Sequence, residues 1–275
     1  MRTRKISDMI LLCLTWIFAA VTLIALFSII GHILIGGIPH LSFELISGEY
    51  MVGGVNVSML PGIVTTVYMV LLTLAIAVPL GIFTSIFLVE YVRRGSKFVT
   101  LIRSAVEILA GIPSIVYGLF GFLMFAQFLG FGWSLIAGVL TLSIMVLPVL
   151  IRTTEEALKS VSDGYREGGY ALGAGKLRVV FKIVLPSAVP GILAGVILAI
   201  GRIIGETAAL ILTAGTMSRV PTEMTQSSRS LAVHMWWLAN EGLYTNQAYA
   251  TAVVLLLVIL VINTISAIIA RMIAR

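Results

Sequence analysis

An arginine and a glutamate lie four residues apart in an apolar segment of the second half of the chain. Arg202 and Glu206 are followed, seven residues further on, by Thr213. If the segment is one continuous helix, this spacing places the three side chains on one face. A guanidinium offers paired N–H donors to the oxygens of an oxyanion, and a carboxylate beside it can hold it in place. The trio therefore predicts either an element lining the path of an anionic solute or an ion pair that only holds helices together.

The apolar surroundings make this arginine costly. Hydrophobic residues make up 59% of the 275-residue chain and charged residues only 11%, whereas about one quarter of the residues of soluble proteins are charged. The chain is therefore predicted to be an integral membrane protein. A charged side chain near mid-membrane costs at least about 2.5–3.5 kcal/mol, so Arg202 needs a partner or a water-filled path. Arg103 and Glu107 repeat the same spacing near a predicted membrane surface, where a solvated pair is expected.

Six apolar stretches are long enough to cross a bilayer, which takes about 20 residues. The first follows basic residues but exceeds the apolar core of a signal peptide, so we expect it to stay attached as a helix. The third contains Gly111 and Pro113, which are expected to break it into a short interfacial piece and a true span. The fifth is predicted to begin near Pro186 and to continue without a break. The predicted spans cover residues 9–35, 62–89, 98–129, 134–151, 186–214 and 248–270.

The distribution of positive charge predicts the orientation of these spans. If both termini lie in the cytoplasm, 15 of the 18 Lys and Arg residues fall on the cytoplasmic side, as the positive-inside rule requires. The net charge of +6 is then explained by membrane sidedness and not by nucleic-acid binding. Residues 36–61 and 215–247 become outside loops. Cys13, the single cysteine, is expected to be a small apolar helix residue.

A charged block at residues 152–186 separates two predicted spans and must therefore lie in water. It contains Glu167, Gly168, Gly169 and Gly173, followed by Ile183, Leu185 and Pro186. This layout resembles the cytoplasmic "EAA" loop of ABC importer membrane subunits, in which Glu-Ala-Ala, three residues, Gly, nine residues and Ile-x-Leu-Pro follow one another. The resemblance implies a helix-turn-helix gripped by an ATPase. Gly-Gly replaces Ala-Ala here, and each glycine costs about 1 kcal/mol relative to alanine in a helix.

Several further segments resemble those of phosphate-specific (Pst-type) ABC permeases. They are residues 78–82, 111–121 and 201–215, while segments between 231 and 252 are similar to the PstA-like member of the permease pair. In that family the residues matching Arg202 and Glu206 are implicated in phosphate passage, and the resemblance adds Thr207 and Thr213 to the predicted pathway. It implies an all-α membrane protein with six transmembrane helices and the type I ABC importer permease fold. One permease domain is expected over residues 1–275, with its core at about 62–270.

The resemblance also implies a set of partners. They are a second permease subunit (PstC-like), two ATP-binding ATPase subunits (PstB-like) and an extracytoplasmic phosphate-binding protein (PstS-like), assembled in the lipid of the cell membrane. The binding protein is expected to dock on the loops 36–61 and 215–247. No cofactor and no nucleic acid are expected.

No residues at catalytic or metal-binding spacing compete with this interpretation. His32, His40 and His234 are predicted at the outer surface, without a nucleophile or second histidine at a suitable distance along the chain. Gly175-Lys176 lacks the upstream glycine of an ATP-binding loop, so another chain must hydrolyse ATP. The chain is therefore predicted not to be an enzyme.

Two alternatives stay open at this point. A permease for another oxyanion, molybdate or sulfate, would carry the same features. An ungated anion channel or a membrane scaffold would explain Arg202 and the hydropathy, but it has no use for the spacing of the charged block.

Overall fold

All regular elements in the described part of the chain are helical. The computed structural model describes residues 2–48, 57–92, 95–242 and 244–273. In chain order the elements are α1 (Arg2–Gly37), a 3-10 turn (Ile38–His40), α2 (Phe43–Ser47), α3 (Leu60–Ile86) with a π-turn (Phe87–Tyr91), α4 (Lys97–Ala110), α5 (Ser114–Gly121) with a π-turn (Phe122–Phe128), α6 (Leu135–Ser160), α7 (Asp163–Ala171), α8 (Lys176–Val179) with a π-turn (Val180–Val184), α9 (Leu185–Gly205), α10 (Ala208–Thr213), α11 (Leu231–Glu241) and α12 (Thr245–Ile273).

Five of the described helical stretches are long and apolar enough to cross a membrane, and one bent pair can provide a sixth span. The bent pair is α4 followed by α5 and its π-turn, which meet at an angle of 103°. This number agrees with the six predicted spans, while the orientation of the two termini stays a prediction. The five stretches are Leu11–His40, Leu60–Tyr91, Leu135–Ser160, Lys176–Gly205 and Thr245–Ile269.

The predicted break in the third span is confirmed. α4 ends at Ala110, and Pro113 stands directly before α5. Proline has no N–H to donate and disfavours a helical backbone in the residue before it, so one helix cannot run through this point. The carbonyl of Leu109 accepts a 3.2 Å hydrogen bond from the N–H of Ile112, and it also accepts a 2.7 Å hydrogen bond from the hydroxyl of Tyr117. This bond ties the two halves of the span together across the bend.

The helix before the charged block ends later than predicted. α6 runs past Ile151 to Ser160, because its last turns still bury side chains such as Leu158. α9 begins at Leu185, so the predicted start near Pro186 is confirmed. The helical stretch that contains α9 also extends back to Lys176 through α8 and its π-turn. The π-turn ends at Val184, two residues before Pro186. Since such a turn already interrupts the regular hydrogen-bond ladder, the missing N–H of proline costs little there.

The second outside segment also differs from a simple loop. Residues 231–241 form α11, whose first residues and Leu238 are buried. The side chain of Ser230 accepts a hydrogen bond from the backbone N–H of Val233 and so caps the helix. The N–H of Leu231 donates a 2.9 Å hydrogen bond to the hydroxyl of Thr66 in α3. α11 is therefore packed into the bundle at the end where α3 begins.

The three long helices α3, α6 and α9 form the centre of the bundle. Met69, Leu142 and Ile203, one from each helix, are at most 2% exposed. α1 lies outside this core, since no residue of its most apolar stretch is buried. It meets α12 near its own end, where a Cβ added to Gly37 would collide with the backbone of Tyr249.

Candidate functional site

Arg202 lies in the last turn of α9, immediately before the helix ends. α9 stops at Gly205, and Glu206 has an extended backbone with φ −72° and ψ 127°. After Thr207 the chain resumes as α10, a helix of only six residues. The prediction that Arg202, Glu206 and Thr213 share one face of a continuous helix is therefore wrong. Glycine is a poor helix former, and Gly201 and Gly205 flank the arginine at the point where the helix gives way.

The carboxylate of Glu206 helps to hold the break in place. Its side chain accepts a 3.0 Å hydrogen bond from the backbone N–H of Ala209, which is one of the unpaired donors at the start of α10. Glu206 is only 8% exposed, so an unsatisfied carboxylate would be costly there. Within the described residues, no ion pair joins Glu206 to Arg202. The glutamate therefore caps α10, while Arg202 is half-buried in the last turn of α9.

The two predicted threonines differ in their surroundings. Thr207 is half-buried at the break itself, and its hydroxyl donates a 3.3 Å hydrogen bond to the carbonyl of Gly205. Thr213 is fully buried, and its hydroxyl donates to the carbonyl of Ala209 one turn back. Its methyl group faces Gly121 of α5. The structure thus brings Arg202, Glu206 and Thr207 together at the break, whereas Thr213 packs between helices.

Tyr117 is a residue of this region that sequence reasoning did not single out. It is 4% exposed on α5, and it lies within electrostatic reach of the positive charge of Arg202. Its hydroxyl is the group that ties the bend between α4 and α5. A tyrosine inside the apolar motif 111–121 was the available signal, because a phenol hydroxyl in apolar surroundings usually finds a hydrogen-bond partner.

The predicted helix-turn-helix is present in the charged block. α7 contains Glu167, Gly168 and Gly169, and α8 follows after a turn at Gly173. Gly173 has a φ of +79°, a conformation that favours glycine. Glu167 and Gly168 are exposed, whereas Gly169 is buried, and a Cβ there would lie 2.8 Å from the side chain of Ile183. We call α7, the turn and α8 with its π-turn, residues 163–184, the docking hairpin.

The surface of the docking hairpin carries large apolar side chains exposed to solvent. Leu172 is 90% exposed, Leu177 66% and Tyr165 60%. Of the remaining predicted docking residues, Leu185 is half-buried and Pro186 is exposed, both beyond the hairpin at the start of α9. Exposed apolar groups of this size on a water-facing segment are typical of a protein interaction surface.

Ion pairs that the sequence did not predict join the hairpin to the end of α3, and α4 to α6. Arg166 of α7 and Glu90 at the end of α3 form a buried pair with a 2.7 Å contact. Arg103 binds Glu155 of α6 at 3.0 Å, so the predicted local pair of Arg103 with Glu107 is not the one formed. Lys159 contacts the same carboxylate at 2.5 Å. Arg103 and Glu155 are 52 residues apart in the sequence, and Arg166 and Glu90 are 76 residues apart. Because of these long separations, helical spacing could not reveal either pair.

The prediction that His234 lies at the outer surface is wrong. The side chain of His234 is fully buried in α11. Burial, reinforced by the nearby charge of Arg229, lowers the pKa of His234 to about 3. The side chain of Arg229 is also buried and stacks on the ring of Trp237 at 4.5 Å. His32 and His40 are exposed, and His32 lies 3.1 Å from the hydroxyl of Tyr249. The described residues contain no group of three or more His, Cys, Asp or Glu side chains that could hold a metal ion.

Known proteins resemble this chain over most of its length. It is 33% identical to a probable ABC transporter permease protein, YqgI, of Bacillus subtilis, over 94% of both chains. It is 38% identical to the phosphate transport system permease protein PstA of Yersinia pestis, over 73% of this chain and 68% of that protein. Its fold matches an inward-facing structure of the MetNI methionine ABC transporter with a TM-score of 0.61, covering 77% of this chain and 92% of that one. The sequence identity to that structure is 20%.

The family model of the binding-protein-dependent transport system inner membrane component matches residues 77–275. This match contains the helix break, the docking hairpin and three of the five long spans. Together with the structural match, it confirms the predicted all-α fold of a type I ABC importer permease and the location in a membrane. The chain therefore belongs to the family of binding-protein-dependent transport system inner membrane components, the multi-pass permeases of ABC importers.

Proposed function

We propose that this chain is the PstA-like subunit of an ABC importer that carries inorganic phosphate into the cytoplasm. Arg202 is the observation that carries the proposal. Its guanidinium is half-buried in a membrane span, next to a break in the helix, and forms no ion pair with Glu206 among the described residues. The relatives of this chain include phosphate permeases, such as the protein PstA of Yersinia pestis.

The chemistry of the break suits a passing phosphate group. A guanidinium can donate two parallel hydrogen bonds to a phosphate, and these are stronger than neutral ones because both partners are charged. The hydroxyl of Thr207 lies at the same break and can add a further polar contact. Broken helices inside membrane spans are tolerated where they line a water-filled cavity or are buried in protein. We therefore assign Arg202, Glu206, Thr207 and Thr213 to the substrate pathway, with Glu206 and Thr213 acting by shaping it.

Transport by this chain requires other subunits in the proposal. A second, PstC-like permease subunit completes the pathway, and two PstB-like ATPase subunits bind the docking surface that includes Glu167, Gly168, Gly169, Gly173, Ile183, Leu185 and Pro186. A PstS-like binding protein delivers phosphate to the opposite face and docks on residues 36–61, of which 49–56 lie outside the described residues, and on residues 215–247. Both termini face the cytoplasm, and residues 1–275 act as one permease domain.

Uptake into proteoliposomes tests the proposal directly. The complete transporter, reconstituted with its binding protein, should import radiolabelled phosphate in the presence of ATP. Unlabelled phosphate should compete, whereas equal concentrations of molybdate and sulfate should not. Preferential inhibition by molybdate or sulfate would instead support the permease for another oxyanion. ATP-independent flux would favour the channel.

Substitution of Arg202 tests the residue that carries the proposal. Arg202→Gln should lower phosphate uptake at least tenfold, because glutamine keeps much of the bulk but loses the charge and the paired donors. Arg202→Lys should be intermediate or poor, since an ammonium keeps the charge without the planar fork. Equal amounts of assembled complex must be shown by purification. Normal uptake by Arg202→Gln would contradict the assignment.

A further inference from the structure

One guanidinium joins three helix ends on the side of the docking hairpin. Arg166, in α7, contacts Glu90 through two nitrogens, Nη2 at 2.7 Å and Nε at 3.1 Å. It also donates to the carbonyls of Leu158 and Val161, where α6 ends, at 2.9 and 2.7 Å. A fifth contact, at 3.2 Å, reaches Asp163 at the start of α7. The Arg166 side chain is 13% exposed and that of Glu90 6%, so the pair is largely shielded from water.

A second cation reaches the next residue of α3 from the other helix of the hairpin. The Nζ of Lys176, the first residue of α8, lies 4.9 Å from the centre of the Tyr91 ring. A cation at this distance over a tyrosine face is held by the ring's quadrupole. Both helices of the docking hairpin thus send a cation to the two adjacent residues that end the π-turn after α3. Short π-turns inside longer helices occur frequently at functional sites.

The helix that receives these contacts extends to the opposite end of the bundle. α3 and its π-turn cover Leu60–Tyr91 without interruption, about 48 Å at 1.5 Å per residue. Near its start, the hydroxyl of Thr66 accepts a hydrogen bond from the N–H of Leu231 in α11. A Cβ on Gly62 would lie 3.2 Å from the backbone of the same leucine, which shows how closely the two helices approach. α3 therefore joins the docking hairpin to α11 as one helical rod.

We infer that Glu90 and Tyr91 form the joint through which movement of the docking hairpin reaches α3 and α11, with Arg166 and Lys176 as its positioning residues. The inference rests on the proposed function, since it assumes that an ATPase moves the hairpin. The apolar contacts of α7 face elsewhere, with Gly169 against Val179 and Ile183. Val180 and Val184 of the hairpin share a buried apolar cluster with Ile86 of α3, and the two cation contacts add directional links at Glu90 and Tyr91. When the hairpin moves, these bonds pull the end of α3 with it.

A role in stability alone would not require this ion pair. Burying two charges costs desolvation energy that can exceed their attraction, so apolar residues of similar volume can replace such a pair without loss of stability. Removing one partner is different, because it leaves the other charge buried alone. The informative variant is therefore Glu90→Leu combined with Arg166→Met, which removes both charges and keeps apolar bulk.

The experiment measures phosphate imported per ATP hydrolysed by the complete transporter in proteoliposomes. The paired variant should assemble in normal amounts and hydrolyse ATP within about twofold of wild type, while the import ratio falls at least fivefold. Arg152→Gln with Glu156→Gln is the matched control, since this pair lies on α6 with side chains 70% and 65% exposed. Its ratio should be unchanged. An unchanged ratio in the paired variant would overturn the inference.

The contact between Lys176 and Tyr91 supplies an independent variant. Tyr91→Phe keeps an aromatic face for the cation, whereas Tyr91→Leu removes it. Tyr91 is 43% exposed, so neither change leaves a large buried cavity. We expect a normal import ratio with phenylalanine and a reduced ratio with leucine. Equal ratios in the two variants would remove Lys176 from the joint.

A measurement that does not depend on phosphate import distinguishes a failure of this inference from a failure of the proposed function. Wild-type complex that hydrolyses ATP but imports no phosphate would contradict the proposed substrate and leave the joint testable. Spin labels at Tyr68 on α3 and Thr222 on the neighbouring outer segment, in a Cys13→Ser background, report their separation. Trapping the ATPase with ATP and vanadate should change this distance in wild type and not in the paired variant. A wild-type response in that variant would contradict the joint whatever the substrate is.

Discussion

Arg202 and Glu206 are four residues apart and have different tasks, because the helix ends between them. Glu206 caps α10 through the N–H of Ala209. A glutamine side chain has a carbonyl oxygen that can accept the same hydrogen bond. We therefore expect Glu206→Gln to keep phosphate uptake within about threefold of wild type, whereas Glu206→Ala loses a cap worth about 0.5–2 kcal/mol and lowers uptake further.

The combination of Arg202→Gln with Glu206→Gln provides the control for this prediction. If the two residues were only an ion pair, removing both charges together would restore transport. Since no such pair is formed among the described residues, the double variant should be as inactive as Arg202→Gln alone. Recovery of near-normal uptake would assign Arg202 to the packing of the bundle.

His234 predicts a dependence of stability on pH. Burial and the charge of Arg229 lower its pKa to about 3 in the folded protein, whereas an unfolded chain has a histidine pKa of about 6.5. The contribution of neutral His234 to the free energy of unfolding is complete above pH 6.5. It is lost as the pH falls from 6.5 towards 3, because only the unfolded state takes up the proton in that range. The loss is about 1.4 kcal/mol for each pH unit in that window.

Thermal unfolding in detergent measures this effect. The unfolding midpoint of the wild-type protein should fall between pH 7 and pH 5, and His234→Leu should make the fall smaller. His40→Leu is the matched control, since His40 is exposed and should leave the wild-type dependence intact. Identical pH profiles for His234→Leu and wild type would show that this histidine is not held in its neutral form.

The crossing of α5 with α6 and α10 depends on the absence of a side chain at one position. A Cβ on Gly121 would collide with the hydroxyl of Thr141 and lie 2.9 Å from the methyl group of Thr213. Overpacking of this kind typically costs about 1–3 kcal/mol. Gly121→Ala should lower the thermal unfolding midpoint, and Thr141→Ala should partly restore it. Gly31→Ala, in a membrane helix with nothing within 4 Å of the added Cβ, should leave the midpoint unchanged.

The sequence predicts helices well where a local residue type fixes the backbone. Gly111 and Pro113 marked the bend in the third span, and Gly173 marked the turn of the docking hairpin, because both positions rest on the special conformational properties of these residues. Hydropathy, however, marks where a chain leaves the membrane and not where a helix ends. α6 continues into the charged block and α8 with α9 begins inside it, since helical hydrogen bonds need no lipid.

The break at Glu206 and the burial of α11 could not be predicted in this way. No proline lies between Arg202 and Thr213, and the break is held by a carboxylate cap and by packing of α10 on α5. α11 has only 11 residues, too few to be recognised as a span. The same limit applies to Arg166 and Glu90, whose contact depends on how distant segments are folded together.

The arrangement of the whole molecule in the membrane remains a prediction from the positive charges. With both termini in the cytoplasm, the segment containing Thr225 faces outward and the end of α6 faces inward. In a Cys13→Ser background, a cysteine at Thr225 should react with a membrane-impermeant thiol reagent in intact cells. A cysteine at Ser160 should react only after the cells are opened. Both positions are exposed in the folded chain, so burial does not account for a missing reaction.

The reverse labelling pattern would invert the orientation and place the docking hairpin outside. Equal labelling at both sites in intact cells would indicate that the cells were leaky. A cysteine at Thr216, which is also exposed on the outer segment, serves as a second external position.

The peripheral position of α1 has a consequence for how the sequence can change during evolution. Within this chain, α1 is held through its last turns, where Gly37 lies against the backbone of Tyr249, Gly36 lies against its ring and His32 lies beside its hydroxyl. Residues from 11 to 29 do not fit into a packed core here, so any mixture of Leu, Ile, Val and Phe satisfies the bilayer equally well. Substitutions in that stretch should therefore accumulate freely among orthologues, while Gly37 changes rarely and Gly36 changes together with Tyr249.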